Sequence, residues 1–213
     1  MNDQRNFALK PLSATLKWMT LLPLLLTSTH AFARTVVDGQ PRDIDGSVAA
    51  DQYLLRNQAS LTATGASTND IRAESNSSLT LNGSTVTSAV STIAVELVNS
   101  QATINRSTVT GARVGLSLSS LASAPVGSTA TVTDSVITGG TTGIEVGSLG
   151  NLTLTRAVVT GSSTVGSGLQ LSSGTVSATA STIRGGAQGV RFVPGSIAGQ
   201  LSKLVLDSAL VQG

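Results

Sequence analysis

The sequence predicts an all-β chain folded as a parallel β-helix, a solenoid of about six coils. Three observations predict it. A segment with the same apolar and small columns recurs every 22–28 residues across the last two thirds of the chain. Each repeat holds three short stretches in which apolar and polar residues alternate, the signature of half-buried strands. No segment within the repeats places apolar residues at the helical period.

The first element lies outside that pattern. Arg5, Lys10 and Lys17 precede the apolar run Trp18 to Leu26, and Ala31-Phe32-Ala33 follows. A basic leader, a short apolar core and an A-x-A site describe a secretory signal peptide over residues 1–33, cut after Ala33 with Ala31 as the other small residue of the site. A membrane anchor is the alternative reading, but the run of nine residues is half the roughly twenty that a helical span needs. The mature chain is therefore expected to have no transmembrane helix.

Removal of the leader changes the charge. Three of the thirteen Lys/Arg and one of the eleven Asp/Glu lie in it, which leaves ten of each. A chain with no net charge offers no basic field to collect nucleic acid. The only His, His30, and the only Trp, Trp18, also lie in the leader, and there is no Cys. Ser–His and Cys–His nucleophile pairs and the usual zinc and copper ligand sets are thus absent from the mature chain. Backbone pairing and core packing, not disulfides, must hold it.

Residues 34–76 fit the repeat poorly. Ala59 to Ser67 reads as a degenerate first coil, and residues 34–58, with Tyr53-Leu54-Leu55, as an N-terminal cap over the exposed edge of the solenoid.

Residues 77–213 form the repeats. Val86, Val109, Ile137, Val159, Ile183 and Val211 mark equivalent positions, spaced by 23, 28, 22, 24 and 28 residues. Five residues earlier stand Leu81, Ile104, Val132, Leu154, Ala178 and Leu206. Two earlier the residue is small: Ser84, Ser107, Ser135, Ala157, Ser181, Ala209. Two later it is Gly in five of six cases, Ser88 being the exception. A third strand follows the first five repeats: Val95-Glu96-Leu97, Leu116-Ser117-Leu118, Ile144-Glu145-Val146, Leu169-Gln170-Leu171 and Val190-Arg191-Phe192. One coil cannot bury its inward side chains. Stacked coils can, while their backbones pair about 4.8 Å apart. Corner Gly and Ser leave room where a Cβ would crowd the next turn. Leucine-rich repeats share the period, but their fixed Asn and dense Leu pattern are missing. The chain stops on the corner glycine of the sixth repeat, so it is expected to be a piece of a longer protein.

Coils such as LTLTRAVVTG…GLQL (Leu152 to Leu171), NGSTVTS (Asn82 to Ser88) and TDSVITGG (Thr133 to Gly140), with Ser/Thr/Gly/Ala bias and no Cys, resemble the passenger of a classical Gram-negative autotransporter of the pertactin-like group. The resemblance covers residues 34–213. It implies a right-handed β-helix carried to the cell surface or secreted, and an outer-membrane β-barrel translocator in the full-length protein. It also implies a role in adhesion, aggregation or another virulence-associated contact with a host or neighbouring-cell surface protein or glycan. The barrel is absent from this sequence, and there is no Arg-Gly-Asp triplet for an integrin-type contact.

Few residues suggest chemistry. Asp43-Ile44-Asp45-Gly46 has the D-x-D-G look of a Ca²⁺ loop, with Asp38 and Asp51 nearby, but the further oxygen ligands of a full loop are not evident. It reads as a solvated turn, and no cofactor is expected. No G-x-S-x-G elbow occurs. Polysaccharide lyases and hydrolases, the rival class on this scaffold, gather carboxylates at one face. Here the outward column Glu96, Ser117, Glu145, Gln170, Arg191 separates its two acids by about 10 Å. No catalytic residue is assigned, and the protein is read as a non-enzyme. Outward Thr columns, such as Thr80, Thr103, Thr131 and Thr153, have the form of an ice-binding array. The uneven repeat length argues against it and favours a solvated β-branched face. Two connections between third and first strands are long: residues 119–129 and 193–203. Both contain Pro and Gly and fall at the same corner. Insertions on one side of a solenoid often form its binding face, so Ser123, Pro125, Val126, Pro194, Ser196 and Gln200 are the expected partner-binding residues.

Overall fold

The computed structural model describes residues 34–88, 92–121, 126–195 and 199–213. The leader, with Ala31 and Ala33, lies outside them, as do Ser123, Pro125 and Ser196. The described residues contain strands and no helix, so none of their segments is a helix long and apolar enough to cross a membrane.

Along the stack the strands fall into three parallel sheets. The first sheet holds Thr35–Asp38, Tyr53–Arg56, Ile71–Glu74, Ile93–Val98, Val114–Ser119, Thr142–Val146, Ser167–Leu171 and Gln188–Phe192. The second holds Pro41–Asp45, Ser60–Thr64, Ser78–Asn82, Gln101–Asn105, Thr129–Thr133, Asn151–Thr155, Thr175–Thr179 and Lys203–Asp207. The third holds Ser67–Thr68, Thr85–Thr87, Thr108–Gly111, Val136–Gly139, Val158–Gly161, Thr182–Gly185 and Leu210–Gln212. The chain visits the three sheets in turn, and each strand pairs with its equivalents one coil below and one coil above. This is the parallel β-helix that the repeat predicts.

The register follows the sequence columns. Val109 pairs with Val86 and Ile137, Ile137 with Val159, and Ile183 with Val159 and Val211. Ile104 pairs with Leu81 and Val132, and Leu116 with Val95 and Ile144. Apart from Val211 in the last turn, which is exposed, these side chains form one continuous buried cluster. Full burial of each Val, Leu or Ile contributes about 1.5–3 kcal/mol. In the last coil the same columns open: Leu206 is 44% exposed, against 0% for Leu154 two ladder steps earlier in the column.

The N-terminal region continues the stack. Within residues 34–58, Thr35–Asp38 pairs with Tyr53–Arg56, and Pro41–Asp45 pairs with Ser60–Thr64. Two turns therefore precede the six expected over residues 77–213. The first lacks a third-sheet strand, and the segment 46–52 runs there instead, with Val48 packed against the core. The sequence pattern was too thin to read. Of Pro41–Asp45 only Ile44 is buried, so one inward residue supplies the whole alternation.

The corner from second to third sheet is made the same way in each turn. One residue takes a left-handed conformation: Gly65, Gly83, Arg106, Asp134, Arg156, Ala180 and Ser208. Its N–H still donates to the coil above, as Arg106 to the Thr133 carbonyl at 3.0 Å and Asp134 to Thr155 at 3.0 Å. The next residue is the small one. Ser107 Oγ accepts from the Ser84 N–H (3.0 Å) and donates to the Asn105 carbonyl (2.8 Å), and Ser135 Oγ accepts from Ser107 N–H (3.0 Å). Small residues thus serve as a hydrogen-bonding ladder, not only as space. This matters because a buried amide left unpaired costs about 1–3 kcal/mol.

The glycine that ends the third-sheet strand answers a different crowding from the one expected. A Cβ on Gly139 would stand 1.8 Å from the Thr142 carbonyl oxygen, and one on Gly111 1.8 Å from that of Val114. The clash is first with the same coil, where the chain turns back into the first sheet.

Candidate interaction surfaces

The two long connections lie where the sequence placed them, at the corner from first to second sheet. Three ladder steps separate Val114–Ser119 from Gln188–Phe192, about 14 Å along the stack. The intervening corners, 147–150 and 172–174, are short. Both connections are pinned to the coil beneath. Asn99, buried, accepts from the Leu121 N–H at 2.6 Å and donates to the Val126 carbonyl at 2.8 Å. Ser172 Oγ donates to the Pro194 carbonyl (3.0 Å), Ser173 Oγ to the Gln200 carbonyl (3.1 Å), and Ser173 N–H to Ser202 Oγ (2.9 Å). Of the expected partner-binding residues, Val126 and Pro194 are exposed and Gln200 is half-buried. Leu121 is also exposed, and Leu201 is 88% exposed. Below Gln200 and Leu201 opens a groove of about 400 Å³ lined by Leu149, Gly150, Asn151, Ser173, Gly174 and Thr175. The anchoring role of Asn99 had no sequence signal, since corner Asn is common for its own backbone reasons.

The outward acids of the first sheet are not brought together. Ser117 pairs with Glu96 below and Glu145 above, so the carboxylates stand two ladder steps apart, about 10 Å. Each has its own cation: Arg72 reaches Glu96 at 2.9 Å and Glu74 at 3.1 Å, and Arg113 reaches Glu145 at 3.1 Å.

Asp43 and Asp45 point outward from the first turn of the second sheet, beside Thr62 and Thr64. Asp45 accepts from the Ser47 hydroxyl (2.6 Å) and N–H (2.9 Å), which hold its carboxyl below the usual value. Asp38 is taken by Asn57 and Arg56, and Asp51 by the Thr35 hydroxyl. Among the described residues no group of three His, Cys, Asp or Glu is placed to hold a metal. Asp38, Asp45 and Asp51 are thus engaged in local turns and pairs.

Among the described residues the shortest ion pair between two exposed side chains lies on the second-to-third corner. Arg156 grips Asp134 with two bonds, Nε to Oδ1 at 2.6 Å and a terminal nitrogen to Oδ2 at 2.7 Å. That bond lowers the Asp134 carboxyl pKa, with the charges of Arg156 and then Arg106 adding to it.

The outward Thr columns are in register. On the second sheet Thr80 pairs with Thr62 and Thr103, and Thr131 with Thr103 and Thr153. The uneven repeat length does not disturb this face. Both 28-residue spacings are absorbed at the other corner of the coil, in residues 119–129 and 193–203. A comparison with protein-family models, curated proteins and solved structures finds no match to this chain.

Proposed function

We propose that the chain is a non-enzymatic, exported β-helical passenger of the autotransporter type, which contacts a host or neighbouring-cell surface protein or glycan through one corner of its coils. The observation that carries this reading is the pair of insertions. Both stand at the first-to-second corner, both are anchored to the coil beneath by side-chain hydrogen bonds, and both expose apolar residues (Leu121, Val126, Leu201). Loops that only tolerated insertion would need no such anchoring, since added length itself costs little. Fixing a loop lowers the entropy lost when a partner is met. The basic leader, short apolar run and A-x-A site support export, and the coil sequences support passenger membership.

The experiment replaces residues 119–129 and 193–203, separately and together, by short Gly-Ser connectors in the surface-displayed protein. The expected outcome is an unchanged strand-type circular dichroism spectrum with reduced cell adhesion or aggregation. Unchanged adhesion in the double replacement, with the fold retained, removes these loops from the function.

A further inference from the structure

The outer face of the second sheet has a composition unlike any other surface of the molecule. Across six consecutive coils, from Ser60–Thr64 to Thr175–Thr179, every outward position is Thr, Ser, Asn or Gln. None is charged, aromatic or aliphatic. The central column reads Thr62, Thr80, Thr103, Thr131, Thr153, Ser177. Charge resumes immediately at both ends: Asp43 and Asp45 in the coil before, Lys203 and Asp207 in the coil after. The first sheet, by contrast, carries Arg72, Glu96, Glu145 and Arg191 on its outer face.

This face also has a fixed two-dimensional repeat. Outward polar positions recur about every 4.8 Å up the stack and about every 6.6 Å along each strand, and the central column carries a hydroxyl in every one of the six coils. The unbroken pairing keeps the repeat intact across the 119–129 insertion. Thr is stiff at χ1, so neighbouring hydroxyls and methyls stay aligned without further ordering.

A ligand for such a face must be neutral, because no charge on it would repay the desolvation of an ion. It must offer donors and acceptors, because the hydroxyls and amides would otherwise lose their water bonds unpaired. It must itself repeat in two dimensions, or the array would confer nothing that one or two Thr could not. Ice meets all three conditions: its surface is a neutral lattice of donors and acceptors with repeats close to these two spacings, and it excludes ions. We propose that the outer face of the second sheet, centred on Thr103, Thr131 and Thr153, binds ice.

The test measures ice-recrystallisation inhibition by the purified protein, with sedimentation analysis of the same samples. Thr131→Lys and Thr153→Lys place a charge in the centre of the face. Gln170→Lys places one on the outer face of the first sheet. Each variant is first shown to keep the wild-type circular dichroism spectrum and thermal midpoint, and two variants on the face guard against one failing to fold. The expected result is inhibition by the wild type, loss of most of it in both Thr variants, and retention in Gln170→Lys. Wild-type protein that leaves ice grain growth unchanged overturns the proposal. So does equal loss in Gln170→Lys, or a wild-type dimer that dissociates in the Thr variants without any effect on ice, which would assign the face to a second copy of the chain.

Discussion

Ile137 and Thr138 are neighbours in the chain and opposites in the structure. Ile137 is fully buried between Val109 and Val159, whereas Thr138 sits in an outward column with Thr110 and Thr160. Ile137→Asp therefore places a charge where nothing can pair with it, and the expected cost is at least ~3 kcal/mol. Thr138→Asp is expected to change stability by about 0.5 kcal/mol. Chemical denaturation of the two variants checks this, and equal effects would contradict the inward assignment. Asp134 offers a second residue-scale reading. Its carboxyl is held below the usual value, first by the Arg156 hydrogen bonds. A carboxyl lowered in this way favours the folded state above its unfolded pKa and loses that contribution as pH falls through its folded value. The pair is exposed, so solvent screens the effect on stability. The titration itself is the cleaner readout. In Arg156→Gln the Asp134 midpoint is expected to move up toward the ordinary carboxylate range, by carboxyl NMR. An unmoved midpoint would show that Arg156 is not its partner in solution.

At the scale of strands and corners, what could be read from sequence was what the period of two exposes. Strands such as Thr129–Thr133 and Asn151–Thr155 alternate cleanly, and their inward residues pair as the columns predict. The corner from second to third sheet was not legible. Its left-handed position is filled by Gly83, Arg106, Asp134, Arg156, Ala180 and Ser208 in successive coils, so no residue type announces it. There the inter-coil hydrogen bond, made by backbone, holds the conformation whatever the side chain. The glycine corner is the reverse case: backbone approach dictates the residue. Gly139→Ala sets a Cβ 1.8 Å from the Thr142 carbonyl oxygen, which cannot swing away, whereas at Gly83 a Cβ meets nothing within 4 Å. The left-handed backbone alone costs Ala about 1–2 kcal/mol at Gly83. Gly139→Ala is expected to cost more than that, because the first and third sheets must separate to admit it. Thermal melts that rank Gly83→Ala as the more damaging change would contradict this account of the corner. The loop corner was legible from repeat length alone, but Asn99 and Ser173, which pin the two loops, were not. A single polar residue in a turn looks the same whether or not a loop lies above it.

For the molecule as a whole, the central claim is that coils of unequal length stack in exact register because every insertion leaves the ladder at a corner. The 28-residue step from Thr103 to Thr131 is one of the two severest cases, since it contains the 119–129 insertion. The chain has no Cys, so two introduced thiols have only each other. Partners one ladder step apart lie about 4.8 Å apart, within the Cα range a disulfide accepts. A position two residues further along the next strand lies about 7–8 Å away, beyond it. The most direct measurement is disulfide formation under mild oxidation in two double variants, Thr103→Cys with Thr131→Cys, and Thr103→Cys with Thr133→Cys. All three positions share one outer face, because Thr131 pairs with Thr103 and Thr133 with Asn105. The account predicts that the first pair closes readily and the second stays reduced. Closure of the second pair in preference to the first would contradict the register, and with it the stacked-coil architecture on which both proposed surfaces depend.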